Sequence, residues 1–249
     1  MHDSALNTVS PLNFTGRHIE ATLVRNAKDF LVQGRAIVVN IGVDAVFVGR
    51  TPRKSIPALS STVLVDTRVE AADALVLLRI RDEEAGIAGI VDEPGWQLLG
   101  DLLGDAEGVT GGRPFPKDTP LWKGPQDDAG RLEFDPAHLL KERPDARHPA
   151  PFDVKVNLWF APAGTDCAIH NQHDFIEVHT QVHGTGRMQK FTAQDHHTLY
   201  EDVLMSPGYT TPDPFCATGP DGTYDYPWHQ YRADTDCVWL AVEYHAASH

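Results

Sequence analysis

The chain has 249 residues, a formal charge of -14 and an apolar fraction of 41%, enough for one large β-domain or two small ones. The acidity argues against nucleic acid and anionic membrane as partners, because both require clustered Lys and Arg. The three cysteines, Cys167, Cys216 and Cys237, show no CxxC spacing, which argues against a disulfide framework or structural zinc and fits a reducing cytoplasm.

The opening stretch, MHDSALNTVSPLNF, has no basic region followed by an apolar run, so no leader is expected. No apolar stretch approaches the ~20 residues of a membrane-spanning helix. Residues 19–31 read as a short helix. AIVVNIGVDAVFVG (36–49), STVLVDTRV (61–69) and ALVLLRIRD (74–82) are rich in Val, Ile and Leu and broken by Gly, Asp or Pro, so they read as strands. After Pro94-Gly95, WQLLGDLLGD (96–105) places apolar residues at 96, 98, 99, 102 and 103 and predicts one short helix. Residues 111–151 carry eight of the eighteen prolines and read as a loop-rich connection.

The last hundred residues return to strand signals: DVKVNLWFA (153–161), FIEVHTQVHG (175–184), RMQKFTA (187–193), LYEDVLMS (199–206) and DCVWLAVEYH (236–245). Short strands separated by Gly, Pro and Asp turns argue for a sandwich or barrel. The expected division is 1–110 as a β-rich unit, 111–151 as the connection and 152–249 as a barrel.

The chemical signal is concentrated in Gly164–Gly184, GTDCAIHNQHDFIEVHTQVHG, which holds four His and one Glu in 21 residues. In a strand, residues two apart share a face. Glu177, His179, Gln181 and His183 therefore point one way, and Ile176, Val178, Thr180 and Val182 point the other. Inside a barrel, such a polar face must be satisfied by metal, water or substrate. The first 110 residues contain only His2 and His18, so the N-terminal half has no comparable ligand set. There is no nucleotide-binding loop and no Gly-x-Ser-x-Gly elbow.

These residues resemble the metal-binding motif of the cupin superfamily: Gly, five residues, His, one residue, His, three or four residues, Glu, six residues, Gly. Gly164 is followed by five residues and His170; His173 is followed by three residues and Glu177; six more lead to Gly184. Two residues, Asn171 and Gln172, stand between the histidines where the family has one. Either a bulge absorbs the extra residue and His173 is the second ligand, or Gln172 takes that place. Imidazole is the better transition-metal ligand, which favours His173. YPWHQY (226–231), followed by an apolar strand, resembles the second motif and makes His229 the third imidazole. The resemblance covers about residues 153–245.

The resemblance implies a mainly β protein with few short helices. Its C-terminal half would be a jelly-roll barrel, and its β-rich N-terminal half is open to being a degenerate second cupin. It implies one divalent transition metal on His170, His173, Glu177 and His229. Fe(II) is favoured, with Mn, Ni, Co, Cu and Zn also compatible. His179 and Gln172 are the catalytic candidates. Arg187, Tyr209, Trp228, Tyr231 and Gln181 are the substrate-binding candidates. The implied function is an O2-dependent enzyme of small-metabolite chemistry. The alternatives are a metal-assisted isomerase, epimerase or lyase, and a non-catalytic binding barrel. A homodimer is the expected assembly. His183, His245 and His249 are expected to be solvated, and Cys167 and Cys237 to be small buried hydrophobes.

Overall fold

The computed structural model describes residues 5–81, 86–103, 115–142, 148–211, 215–219 and 223–247. In the N-terminal half, β1 (Thr8–Pro11), β2 (Ile19–Asn40), β3 (Val46–Val48), β4 (Lys54–Ile56) and β5 (Ser61–Ile80) form one antiparallel system. Residues 19–31 are therefore strand, not helix. The run ATLV–FLV alternates its buried positions two by two, and pairing with β5 along its whole length overrides any helical spacing. Three left-handed positions bend this long ribbon: Asn26 (φ 50°), Asp29 (φ 48°) and Gly34 (φ 63°), residue types that adopt that region at low cost.

The bends divide each long strand into shorter segments. Segment 19–25 pairs with 74–80, which pairs with 37–40, and 35–39 pairs with 61–65. Segment 27–32 pairs with 67–72, Val69 with Val48, and β3 with β4. Counted in chain order, the eight segments make two sheets, ordered 1-8-3-6 and 2-7-4-5, which is a jelly roll.

The chain continues through β6 (Gln97–Leu98), the short helix α1 (Leu99–Leu103), β7 (Trp122–Lys123), β8 (Asp127–Phe134) and the short helix α2 (Pro136–Leu139). The C-terminal strands are β9 (Ala150–Ala161), β10 (Ile176–His183), β11 (Gly186–Phe191), β12 (Leu199–Met205), β13 (Ala217–Thr218), β14 (Tyr224–Asp225), β15 (Trp228–Ala233) and β16 (Cys237–Ala246). Here β9 pairs with β16, β16 with β10, and Thr180 bridges to Thr210. In the facing sheet, Asp166 and His170 bridge to β15, β15 pairs with β11, and β11 with β12. This is the same 1-8-3-6 and 2-7-4-5 order. The segment expected as a loop-rich connection contributes β7 and β8, which both pair with β9 and widen its sheet.

The two jelly rolls lie back to back. Ile19, Ala21, Leu23, Ile37, Val39, Val76 and Leu78 share one core with Val154, Val156, Leu158, Phe160, Ile176, Val178, Leu240 and Val242. Tyr244 Oη donates to Ile41 O (2.8 Å) across this layer, and Thr210 Oγ1 bonds Ser61 Oγ (2.7 Å). A separate cluster, including Val24, Ala36, Val38, Val48, Leu64, Val69 and Leu77, fills the space between the two N-terminal sheets.

Because the shared layer belongs to both halves, they are expected to unfold together. Leu158 is fully buried in it. Leu158→Ala should cost about 2–5 kcal/mol and shift one cooperative denaturant transition. Two separate transitions would contradict a common core.

Candidate metal centre

The inner face of β10 carries Glu177, His179 and Gln181, while Ile176, Val178 and Val182 enter the shared core. Burying one face in an apolar layer thus commits the polar residues to the barrel interior. The turn after β10 needs Gly184: its φ is 75°, and a Cβ there would collide with the carbonyl oxygen of Asp236.

His170 and His229 are locked side by side by reciprocal backbone bonds. His170 N–H donates to His229 O (2.9 Å), and His229 N–H donates to His170 O (2.8 Å). Their ring centroids are 4.4 Å apart. His170 Nδ1 lies 3.0 Å from Ala168 O, and His229 Nδ1 lies 2.9 Å from Pro227 O. A carbonyl only accepts, so both Nδ1 atoms carry the proton and both Nε2 atoms keep their lone pairs. His173 follows from the loop, with its Nε2 3.2 Å from His229 Nε2. Ligand atoms of His170, His173 and His229 all lie within 4.8 Å of one another. Nitrogen ligands of one divalent ion stand roughly 3 Å apart, given bonds of about 2.1 Å. The donor set therefore fits a metal in both spacing and tautomer.

Burial holds these imidazoles neutral. It lowers His170 to about 4, with the neighbouring His173 adding to the effect. It also lowers His173, and it lowers His229 well below the ordinary range, where His170 and His173 reinforce it. At Glu177 burial is the largest influence and opposes ionisation, but the charge and hydrogen bond of His179, with His173 and His229, outweigh it and hold the carboxyl below its usual range. Neutral imidazoles beside an ionised carboxylate are the protonation states a metal requires.

Glu177 stands beside the imidazole group rather than within it. Its Oε1 bonds His179 Nε2 (3.0 Å), and its Oε2 is 3.9 Å from His173 Nδ1. His179 packs on Tyr231 with ring centroids 4.1 Å apart, and its buried Nδ1 has no partner. Gln172, with Asn171 in the two-residue spacing, is exposed at the cavity mouth, whereas His173 turns inward.

The cluster opens on a cavity of about 800 Å³. Gln172, His179 and Tyr231 line it. Four other candidates sit elsewhere. Arg187 is paired with Asp234 (2.7 Å) and Asp202 (2.9 Å), on the face of β11 opposite Met188, whose side chain enters the inner core. Trp228 pairs with Phe191 on that same outward register. Gln181 is buried below the cavity and donates to His183 O (2.6 Å). Tyr209 packs against the inner apolar cluster without reaching the cavity wall. His249 lies outside the described residues.

Sequence reasoning missed the wall built by β9 and β16. Lys155 and Trp159 on β9, and Trp239, Glu243 and His245 on β16, line the cavity. His245, expected to be solvated, bonds Glu243 Oε2 (2.9 Å) there. The signal was present as period-two alternation. Lys155, Asn157 and Trp159 interleave with Val154, Val156 and Leu158, but two-sided burial becomes visible only when the second half is seen to cover the apolar face.

No family model matches this sequence, and no curated protein matches it. Solved structures that align include a cupin 2 conserved barrel domain protein from Leptotrichia buccalis (12% identity, TM-score 0.27, 96% of this chain and 90% of that one). Oxalate decarboxylase of Bacillus subtilis aligns at 11% identity and a TM-score of 0.28, over 100% of this chain and 80% of that one. Ectoine synthase from P. lautus aligns at 14% and 0.28, over 59% and 74%. Likenesses at this level decide neither fold nor reaction, and the jelly-roll assignment rests on the strand order. No helix among the described residues is long and apolar enough to cross a membrane.

The neutral imidazoles tie stability to pH. Burial lowers His170 from the ordinary imidazole value of 6.5 to about 4 in the folded chain, so below pH 6.5 the unfolded chain binds the proton first. Stability of the metal-free protein should be full above pH 6.5 and fall as pH drops towards 4. The loss is up to about 1.4 kcal/mol per pH unit for His170 alone, steepened by His173 and His229. Denaturant midpoints at pH 7.5, 6 and 5 measure it, and a flat profile would contradict neutral burial.

Proposed function

We propose that this protein is a metal-dependent enzyme acting on a small metabolite in the C-terminal cavity, with O2-dependent oxidation as the favoured reaction. One observation carries the reading: three inward-turned imidazoles on joined segments, two with Nε2 free by hydrogen bonding, beside an ionised carboxylate.

His170, His173 and His229 would hold the ion, with Glu177 adjacent. Imidazoles with a carboxylate beside them and open positions suit Fe(II), and Mn, Ni, Co, Cu and Zn are also compatible. When bound, such an ion supplies Lewis acidity and, as iron, redox chemistry with O2. The remaining work falls to the protein. The Ala168 and Pro227 carbonyls fix the ring orientations of His170 and His229. Glu177 accepts from His179 Nε2, which couples the carboxylate at the cavity to an imidazole whose other nitrogen is buried behind it. Tyr231, stacked on His179, holds that ring in place. The substrate proton would pass to the Glu177–His179 pair, entering at the cavity-lining carboxylate with His179 holding it in place. The apolar residues Leu99, Phe115 and Leu121 line the same cavity near β7.

The same Glu177–His179 pair supports a second reading, non-redox proton transfer as in an isomerase or lyase. Dependence on O2 separates the two: turnover undiminished under strict anaerobiosis would remove the oxidative version.

Elemental analysis of protein purified without chelators tests the metal reading. About one transition-metal ion per chain is expected, with near-complete loss in His170→Ala and His229→Ala. An absence of stoichiometric metal, or its retention in both variants, would overturn it. His179→Gln should keep the metal and lower turnover roughly 10²–10⁴-fold. Full activity in that variant would remove the Glu177–His179 pair as the base.

A further inference from the structure

The cavity wall farthest from the imidazoles in strand order is made by β9 and the short β7 beside it. Its chemistry differs from that of the metal end. Lys123 and Lys155 are its only Lys or Arg residues among the described residues. Lys123 Nζ donates to the Gln126 side-chain oxygen (3.2 Å) and stands 5.3 Å from the Trp159 ring centroid. No described carboxylate lies within ion-pair distance of either ammonium.

The cavity carboxylates that could neutralise them are already engaged. Glu243 is the register partner of Lys155, yet its Oε1 accepts from Asn157 Nδ2 (2.7 Å) and its Oε2 is bonded to His245 (2.9 Å). Glu177 is held by His179, and Asp174 is exposed at the mouth. Neither lysine is therefore in a direct ion pair with a described carboxylate, although Lys155 stands close enough to Asp153 for its charge to favour ionisation of that carboxyl.

Trp159 and Trp239 are register partners on β9 and β16, and their rings line the cavity between the lysines and the imidazole end. Leu99, Leu102, Leu103, Phe115 and Leu121 supply the apolar part of the lining.

We infer that the cavity selects a small organic carboxylate with an apolar body, its charged end held at the β9 edge by Lys123 and Lys155 beside the two indoles. Its other end reaches the imidazoles. A phosphate would call for backbone N–H nests or arginine forks, and no arginine among the described residues lines the cavity. This inference deepens the metal-enzyme reading and rests on the same cavity, but the lysines are not among the imidazole ligands.

The test titrates protein purified without chelators with hexanoate, 3-phenylpropanoate, hexanamide and hexyl phosphate, read by calorimetry and tryptophan fluorescence. Metal content is measured on the same samples. The two carboxylates should bind at least ten-fold more tightly than the amide and the phosphate, and perturb the fluorescence. Lys123→Met and Lys155→Met should each weaken carboxylate binding several-fold, and together more than ten-fold, with metal content unchanged. The corresponding arginine variants should retain binding, which separates lost charge from misfolding. Equal affinity for carboxylate and amide, tighter binding of the phosphate, or full binding by the double Met variant would overturn the inference. Protein that holds metal but shows no carboxylate preference fails this inference alone. Protein with that preference but no metal fails only the metal-enzyme reading.

Discussion

The apolar layer between the two jelly rolls is the constraint on which the site depends. β9, β10 and β16 bury Val154, Val156, Leu158, Ile176, Val178, Leu240 and Val242 against the other half. Since strand side chains alternate, the intervening residues have no choice but to enter the barrel. Those residues are Lys155, Asn157, Trp159, Glu177, His179, Trp239 and Glu243. The functional wall is thus the reverse side of the packing wall. A register slip of one residue would place Glu177 in the apolar core and Val178 in the cavity, and burial of an unpaired carboxylate makes that slip prohibitive.

The two halves use one strand order for opposite ends. In the N-terminal roll, Val24, Ala36, Val38, Val48, Val69 and Leu77 close the interior with apolar contacts. In the C-terminal roll the corresponding space holds imidazoles, carboxylates and an open cavity. The strand order therefore does not depend on such groups, because the N-terminal half adopts it around an apolar interior. What the site needs is a rigid support, given by the reciprocal His170–His229 backbone bonds and the carbonyls behind each ring.

Much of this was legible in the sequence, and the reasons divide along physical lines. The C-terminal strands and the inward face of Glu177 and His179 followed from period-two alternation, a local property. His229 came from a resemblance, and its approach to His170 depends on a pairing between segments far apart in the chain. The strand at 19–31 was not legible, since its alternation is blurred where Asn26 and Asp29 turn the ribbon. The shared strand order of the halves was hidden because topology leaves no trace in residue identity. The placement of Arg187 was equally hidden, because two carboxylates from neighbouring strands, Asp202 and Asp234, claim it on the outer face.

The strut from Tyr244 to the carbonyl of Ile41 has a bearing on modularity. Tyr244 precedes His245 and follows Glu243, so a residue flanked by cavity-lining neighbours is anchored in the opposite half. A fragment carrying all the imidazoles would leave that hydroxyl without its acceptor and would expose a broad valine- and leucine-lined sheet to water, an invitation to self-association. The half that carries the imidazoles is therefore not portable: grafting it onto another scaffold would require carrying its silent twin along.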